Sequence, residues 1–95
     1  MQALIVATKD FQHAYTQLAP RMQKIVDKKI RCLSTHYAYP ALQAHRLKKA
    51  KAENVWVCYI TVTKRLLYQY KNGAIYLWDV GEHSIVERVH LRSFA

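Results

Sequence analysis

Apolar side chains run through this chain in two rhythms, and the change from one to the other falls near residue 45. Residues 3–7, Ala-Leu-Ile-Val-Ala, form an apolar run too short for a helix and read as a first strand, with Thr8 placed to cap a helix after it. Residues 9–18 carry Phe11, Ala14, Tyr15 and Leu18 at helical spacing, and Pro20 suits the first turn of a second helix. In that helix Met22, Ile25, Val26, Ile30 and Leu33 line one face, while Lys24, Asp27, Lys28 and Arg31 take the rest. The two form an amphipathic hairpin, which residues 36–40 end because the residue before a proline avoids helical angles.

From Arg46 onward the period becomes two. Residues 46–50 read as a basic strand, residues 55–62 as a strand rich in β-branched and aromatic side chains, and residues 65–70 and 74–80 as a pair flanking Lys71-Asn72-Gly73. Asn-Gly predicts a type I′ hairpin turn, because both central positions need positive φ. That turn pairs Tyr70 with Ile75, Tyr68 with Leu77 and Leu66 with Asp79 on one face. Arg65, Leu67, Gln69, Tyr76, Trp78 and Val80 fall on the other. Both faces are partly apolar, so the pattern leaves open which one the helices cover, although Arg65 and Gln69 give theirs the more open character. The predicted fold class is α+β: an N-terminal strand, a two-helix hairpin, then three to four antiparallel strands forming one sheet with the helices on one side.

Composition narrows the functional classes. The 95 residues make one domain's worth of chain, 1–95, and two glycines with two prolines argue against a loop-rich or disordered scaffold. Fifteen Lys and Arg against six Asp and Glu give a formal charge of +9, which points to a polyanionic partner. Scattered lysines that only maintain solubility account for the same total, but seven Tyr and two Trp add surfaces on which bases stack. No apolar run reaches the roughly 18 to 20 residues of a membrane span, and residues 1–7 lack the features of a signal peptide, so the expectation is a cytoplasmic protein with no membrane partner. Cys32 and Cys58 read as buried thiols rather than as a disulfide framework. Cys32 and His36, four apart, allow a zinc site to be drawn, yet no C-x-x-C or H-x-x-x-H pair supports one and no metal is expected. With no phosphate-cradling glycine motif, no small-molecule cofactor is expected either.

Three stretches carry a resemblance. Pro40-Ala-Leu-Gln-Ala-His45-Arg46-Leu47-Lys48 is similar to a P-x-L-x-x-H-x-L-K entry into a sheet. Val55-Trp56-Val57-Cys58-Tyr59-Ile60 with Lys64-Arg65-Leu66-Leu67-Tyr68 is similar to paired strands of the form W-x-x-x-I and R-h-h-Y, where h is apolar. Leu77-Trp78-Asp79-Val80-Gly81-Glu82-His83 looks like a closing L-h-D-h-G-x-H. In this order, and with the helical hairpin before them, they resemble the RelE/ParE superfamily of type II toxins, RelE/YafQ-like members in particular, over nearly the whole chain. The resemblance implies a small toxin bound by a cognate antitoxin, most members being ribosome-dependent mRNA endonucleases and some gyrase poisons.

The nuclease reading has chemical requirements. Cutting RNA without a metal needs a proton taken from the ribose 2′-hydroxyl, a proton given to the departing 5′ oxygen, and cations for the phosphorane. The resemblance puts His83 at the closing catalytic position, Arg65 at the strand arginine that neutralises the scissile phosphate, and His45 at a histidine that YafQ-like members use. Arg46, Lys48, Lys49 and Lys51 extend from His45 as a basic ribbon able to follow a backbone, although lysines guarding an exposed edge strand look the same in sequence. Tyr59 and Lys64 complete the expected RNA-binding set, by stacking and by phosphate contact. One departure stands out: Glu87 occupies the position where the family's nucleases carry a Tyr or Phe. An acid there repels phosphate, unless it acts as a general base. Two other readings therefore remain beside an mRNA endonuclease acting on the ribosome: a ParE-like inhibitor of DNA gyrase without catalysis, and a non-toxic RNA- or ribosome-binding relative.

Overall fold

In the computed structural model, which describes residues 2–94, the sheet forms around the Asn72-Gly73 turn. Asn72 at φ 52° and Gly73 at φ 77° both adopt the left-handed geometry of the predicted turn. They join β4 (Lys64–Lys71) to β5 (Ala74–Glu82). Next to β4 lies β3 (Val55–Tyr59), then the two-residue β2 (His45–Arg46), all antiparallel. The N-terminal strand β1 (Leu4–Ala7) runs parallel to β5 on its other side, giving the order β1-β5-β4-β3-β2. The four antiparallel strands agree with the expected number, and β1 extends their sheet to five.

Thr8 caps α1 (Lys9–Thr16): its hydroxyl accepts from the Phe11 amide at 3.3 Å and donates to the Leu77 carbonyl at 2.7 Å, so the cap also fixes the helix to β5. Pro20 opens α2 (Pro20–Thr35), whose Val26 and Leu33 are fully buried. They meet Leu66, Tyr68, Ile75, Leu77 and Val80 from the sheet, together with Leu42 and Cys58. The helices thus cover the face that carries Tyr68 and Leu77.

Two features differ from the sequence expectation. The ladder follows the predicted register from the turn to Tyr68 and Leu77, then slips: Leu67 faces Asp79 and Leu66 faces Val80, with Trp78 the extra residue of a bulge. Val80 consequently joins the helix-side core and Asp79 turns to the opposite face. That opposite face is also not open. The chain after β5 folds back across it as a short helix, α3 (Ser84–Glu87), and a 3-10 turn (Val89–Leu91). Val89 is buried there with Val55 and Leu67, and Trp78, Ile85 and Phe94 pack around them. Arg65 and Gln69, the polar residues of that face, are accordingly 9% and 3% exposed.

Both cysteines are free thiols, with Cys58 buried and Cys32 half-buried. Burial pushes the Cys58 thiol up to about 12, and it raises the Tyr68 phenol as well, whose hydroxyl donates to the Tyr37 carbonyl. Each group holds its proton longer in the folded chain than in the unfolded one, so folding stability is complete below the ordinary thiol and phenol ranges and falls as pH rises through them. Denaturant titrations between about pH 9 and pH 11 should therefore give a declining unfolding free energy, and Cys58→Ala should make that decline shallower. An unchanged slope in the variant would mean that the thiol is not the group held neutral.

Candidate nucleic-acid interface

The bulge sets which residues share the tail-covered face. Paired residues of neighbouring strands point the same way, so His45, Val57, Leu67 and Asp79 form one row across the sheet. Tyr59, Arg65 and Gly81 form the next, and this second row lies at the end of the sheet where β5 runs into His83. A slip of one residue inverts every side chain beyond it. In the register without the bulge, the Asp79 carboxylate would lie beneath the helices beside Leu66.

His83 precedes α3 directly, and its Nδ1 lies 3.7 Å from Glu87 Oε1, one helical turn on. Both are well exposed. They face Arg46, Lys48 and Lys49 across a cleft of about 380 Å³ whose apolar lining is Leu47, Val86 and Val89. The basic residues are held differently from the sequence expectation. The ladder ends at Arg46, the Leu47 amide donates to the Val55 carbonyl at 2.8 Å, and Leu47 and Ala50 tuck against the Val55 cluster. Packing of these two apolar residues, three apart, bends the chain into a turn, so residues 48–51 do not continue as a strand. Lys48 and Lys49 are exposed on that turn. Lys51 lines an adjoining hollow of about 500 Å³ that shares Arg46 and Lys48 with the cleft.

The remaining predicted residues form a second group. The Arg65 guanidinium lies over the Tyr59 ring, with Cζ 3.6 Å from its centroid. Its Nη1 donates to the carbonyls of Thr61, Val62 and Lys64 at 3.0 to 3.1 Å. Arg65 therefore ties down the β3–β4 loop, and a phosphate would be met by Nε and Nη2. The Lys64 ammonium is bound to Glu82 at 2.6 Å, which offsets its charge across the strand pair. His45 is exposed, its Nδ1 3.3 Å from the Gln43 carbonyl, and its row separates it from the Tyr59–Arg65 pair by one step along the strands. The structure thus brings His83 together with Arg46, Lys48 and Lys49, and Arg65 with Tyr59. It does not gather all nine into one pocket.

The sequence leaves the course of the C-terminal segment open; it folds back across the sheet, with Ile85, Val86 and Val89 at helical spacing. Its anchor is Arg92, which reaches Asp79 at 2.8 Å and Asp10 at 3.4 Å. Phe94 meets the Trp78 ring edge-on at 5.4 Å, and so fills the sheet face instead of the cleft. The Trp78 indole in turn donates to Gln69 Oε1 at 3.2 Å.

This arrangement, a five-stranded mixed sheet with a helical hairpin on one face and a short C-terminal helix on the other, superposes on solved toxins. A copper-bound L66S mutant toxin from Helicobacter pylori superposes with a TM-score of 0.72 at 24% identity, over 87% of this chain and 97% of that one. YafQ in the Escherichia coli DinJ-YafQ toxin-antitoxin complex gives 0.73 at 13% identity, over 90% and 97%. The YoeB dimer from Staphylococcus aureus gives 0.71 at 16%, over 87% and 99%. The chain shares the fold of these RelE, YafQ and YoeB toxin structures. No protein-family model and no curated protein matches the sequence itself. Among the described residues no group of three or more His, Cys, Asp or Glu is arranged to hold a metal, and no helix is long and apolar enough to cross a membrane.

Arg65→Ala should unfold more easily than wild type by about 1 to 3 kcal/mol, because three loop carbonyls lose their donor. Arg92→Ala should cost about 1 kcal/mol and speed proteolytic cutting within the C-terminal segment, as expected for a half-buried ion pair. Chemical denaturation and limited proteolysis measure the two. Wild-type stability in both variants would mean that neither arginine anchors its segment.

Proposed function

We propose that this chain is one toxin domain of a type II toxin-antitoxin system, acting as a metal-independent mRNA endonuclease on the ribosome and so inhibiting translation. The observation that carries the reading is the cleft in which His83 stands opposite Arg46, Lys48 and Lys49. It joins a proton-transfer group to a track of point charges, the two things that metal-free RNA cleavage requires. The ribose 2′ oxygen attacks the adjacent phosphorus as its proton is withdrawn, and the P–O5′ bond breaks as that oxygen receives a proton. The products are a 2′,3′-cyclic phosphate and a free 5′-hydroxyl, so no redox partner or second substrate enters. In this reading His83 is the proton donor or acceptor and His45 is a second titratable group on the same sheet face. Arg46, Lys48, Lys49 and Lys51 hold the backbone. Arg65 meets the phosphorane charge through Nε and Nη2 while Tyr59 stacks beneath it, and Lys64 contributes only if phosphate displaces Glu82.

Glu87 fits the same scheme in a role the family pattern does not give. Its carboxylate stands 3.7 Å from His83 Nδ1, so a small side-chain rotation would let it orient the ring and leave Nε2 for the RNA, offsetting its repulsion of phosphate. A cognate antitoxin is the natural second partner. The E. coli YafQ and Pyrococcus horikoshii RelE structures are complexes with DinJ and RelB, and an acidic segment would complement the basic turn here. The engagement of Arg65 Nη1 with three carbonyls favours one competing reading, a ribosome-binding relative that no longer cuts.

Purified protein added to a reconstituted translation reaction, with mRNA 5′ ends mapped and free mRNA as control, separates the two. Cleavage inside translated codons that His83→Ala slows by about 10²-fold or more supports the nuclease. Intact mRNA and normal synthesis, with the protein sedimenting on ribosomes, favour the non-toxic binding relative, and the same result without ribosome binding redirects the search to gyrase.

A further inference from the structure

Four of the cations outside the cleft stand together on α2. The exposed residues of α2 are Pro20, Arg21, Lys24, Lys28, Arg31 and Thr35. At 3.6 residues per turn, the four cations fall within an arc of about 80° and span about 15 Å along the axis. Among the described residues none of the four is in an ion pair. The acid nearest to them in sequence, Asp27, accepts a hydrogen bond from the Tyr15 hydroxyl at 2.7 Å, on the side of α2 that meets α1. The helix's Met22, Ile25, Val26, Ile30 and Leu33 are buried or half-buried. Its outer ridge is therefore four like charges in a row, a costly arrangement on a helix unless something negative lies along it.

We infer that this ridge is a second RNA-binding surface, which takes the phosphate backbone of a structured RNA independently of the cleft. The chemistry of the ridge selects its occupant. A protein partner needs a desolvated apolar centre with large anchors, and between Arg21 and Arg31 the exposed ridge offers none. A nucleic-acid backbone needs only cations spaced along a line, and their counterion release supplies the affinity. The position of the ridge separates it from the cleft. Val26 and Leu33 of α2 pack on Leu66 and Tyr68, whereas the cleft residues Leu47 and Val89 belong with Leu67 and Val55 on the other side of the sheet. A short single strand lying in the cleft does not reach the ridge, so the two engage different segments of RNA. The inference concerns binding alone and stands whether or not the cleft cuts.

Fluorescence anisotropy with two RNAs tests it. One is a duplex of about 20 base pairs, which presents a regular backbone. The other is a single strand of about six nucleotides, enough to fill the cleft only. The quadruple variant Arg21→Gln, Lys24→Gln, Lys28→Gln, Arg31→Gln keeps helix-forming residues throughout, and circular dichroism checks that it is folded. It should bind the duplex at least about tenfold more weakly at physiological salt, with the slope of log affinity against log salt shallower by about 3, and bind the hexamer as wild type does. The charge-retaining pair Arg21→Lys, Arg31→Lys should bind both RNAs as wild type does. The reverse pattern belongs to Arg46→Gln, Lys48→Gln, Lys49→Gln, which should lose the hexamer first. Duplex affinity and salt slope unchanged in the quadruple variant would overturn the inference. So would loss of an acidic antitoxin peptide with RNA binding intact, which would make the ridge a protein interface.

Discussion

Everything on the tail-covered face depends on one extra residue in β5. Trp78 has no partner in the β4 ladder, and from that point the strand is out of phase with the hairpin that begins it. The shift gives the helix-side core Val80 and gives the other face Asp79, to which Arg92 ties the C-terminal segment. Gly81 and His83 come next in the same phase. A bulge also bends and twists its strand, which suits a segment that must leave the sheet and return across it. The site thus rests on a local irregularity held from both sides, by the indole of Trp78 on Gln69 and by Phe94 on Trp78.

Burial on this second face explains why its polar residues behave as they do. A guanidinium covered by a loop and an aromatic ring needs acceptors, and Arg65 takes three of them from the loop it supports. The Gln69 amide, almost wholly buried, spans from the Glu53 carbonyl to the Trp78 indole. Such groups organise the backbone around the site before any ligand arrives, so a substitution at Arg65 changes the loop as well as the local charge. The exposed groups, His83, His45 and the turn after β2, carry no such structural duty. Their side chains are free for a ligand throughout, whereas Arg65 has only Nε and Nη2 to offer.

The elements were legible where one local cause decided them. Thr8 as a cap, Pro20 as a helix start and Asn72-Gly73 as a turn each reflect the conformational preference of a single residue or pair, and each appears where the sequence puts it. The bulge has no local signature, since Trp78 is as suited to a regular strand as to an irregular one. The basic segment after His45 reads as a continuation of the strand pattern, but Leu47 and Ala50 stand three apart, and their common packing against Val55 is a tertiary fact. Likewise the face with Arg65 and Gln69 reads as open only until residues 84–94 are known to lie on it. For the candidate site, the sequence names the residue types, whereas their division into a His83 cleft and an Arg65 clamp depends on hydrogen bonds and packing between elements far apart in sequence.

The charge balance acquires a meaning in the structure that a total of +9 does not convey. Nearly every carboxylate is already engaged within the protein. Asp27 accepts from Tyr15, Glu82 holds Lys64, Asp79 and Asp10 share Arg92, and Glu87 lies beside His83. The acids thus serve as internal ties, and two of the cations that would otherwise face solvent are consumed by them. The exposed cations without such a tie include two groups on opposite sides of the sheet, the turn after Arg46 and the outer ridge of α2. Repulsion within each group disfavours the isolated protein and is relieved by the same kind of ligand. A chain built in this way gains most from an extended polyanion, or from a partner acidic enough to imitate one.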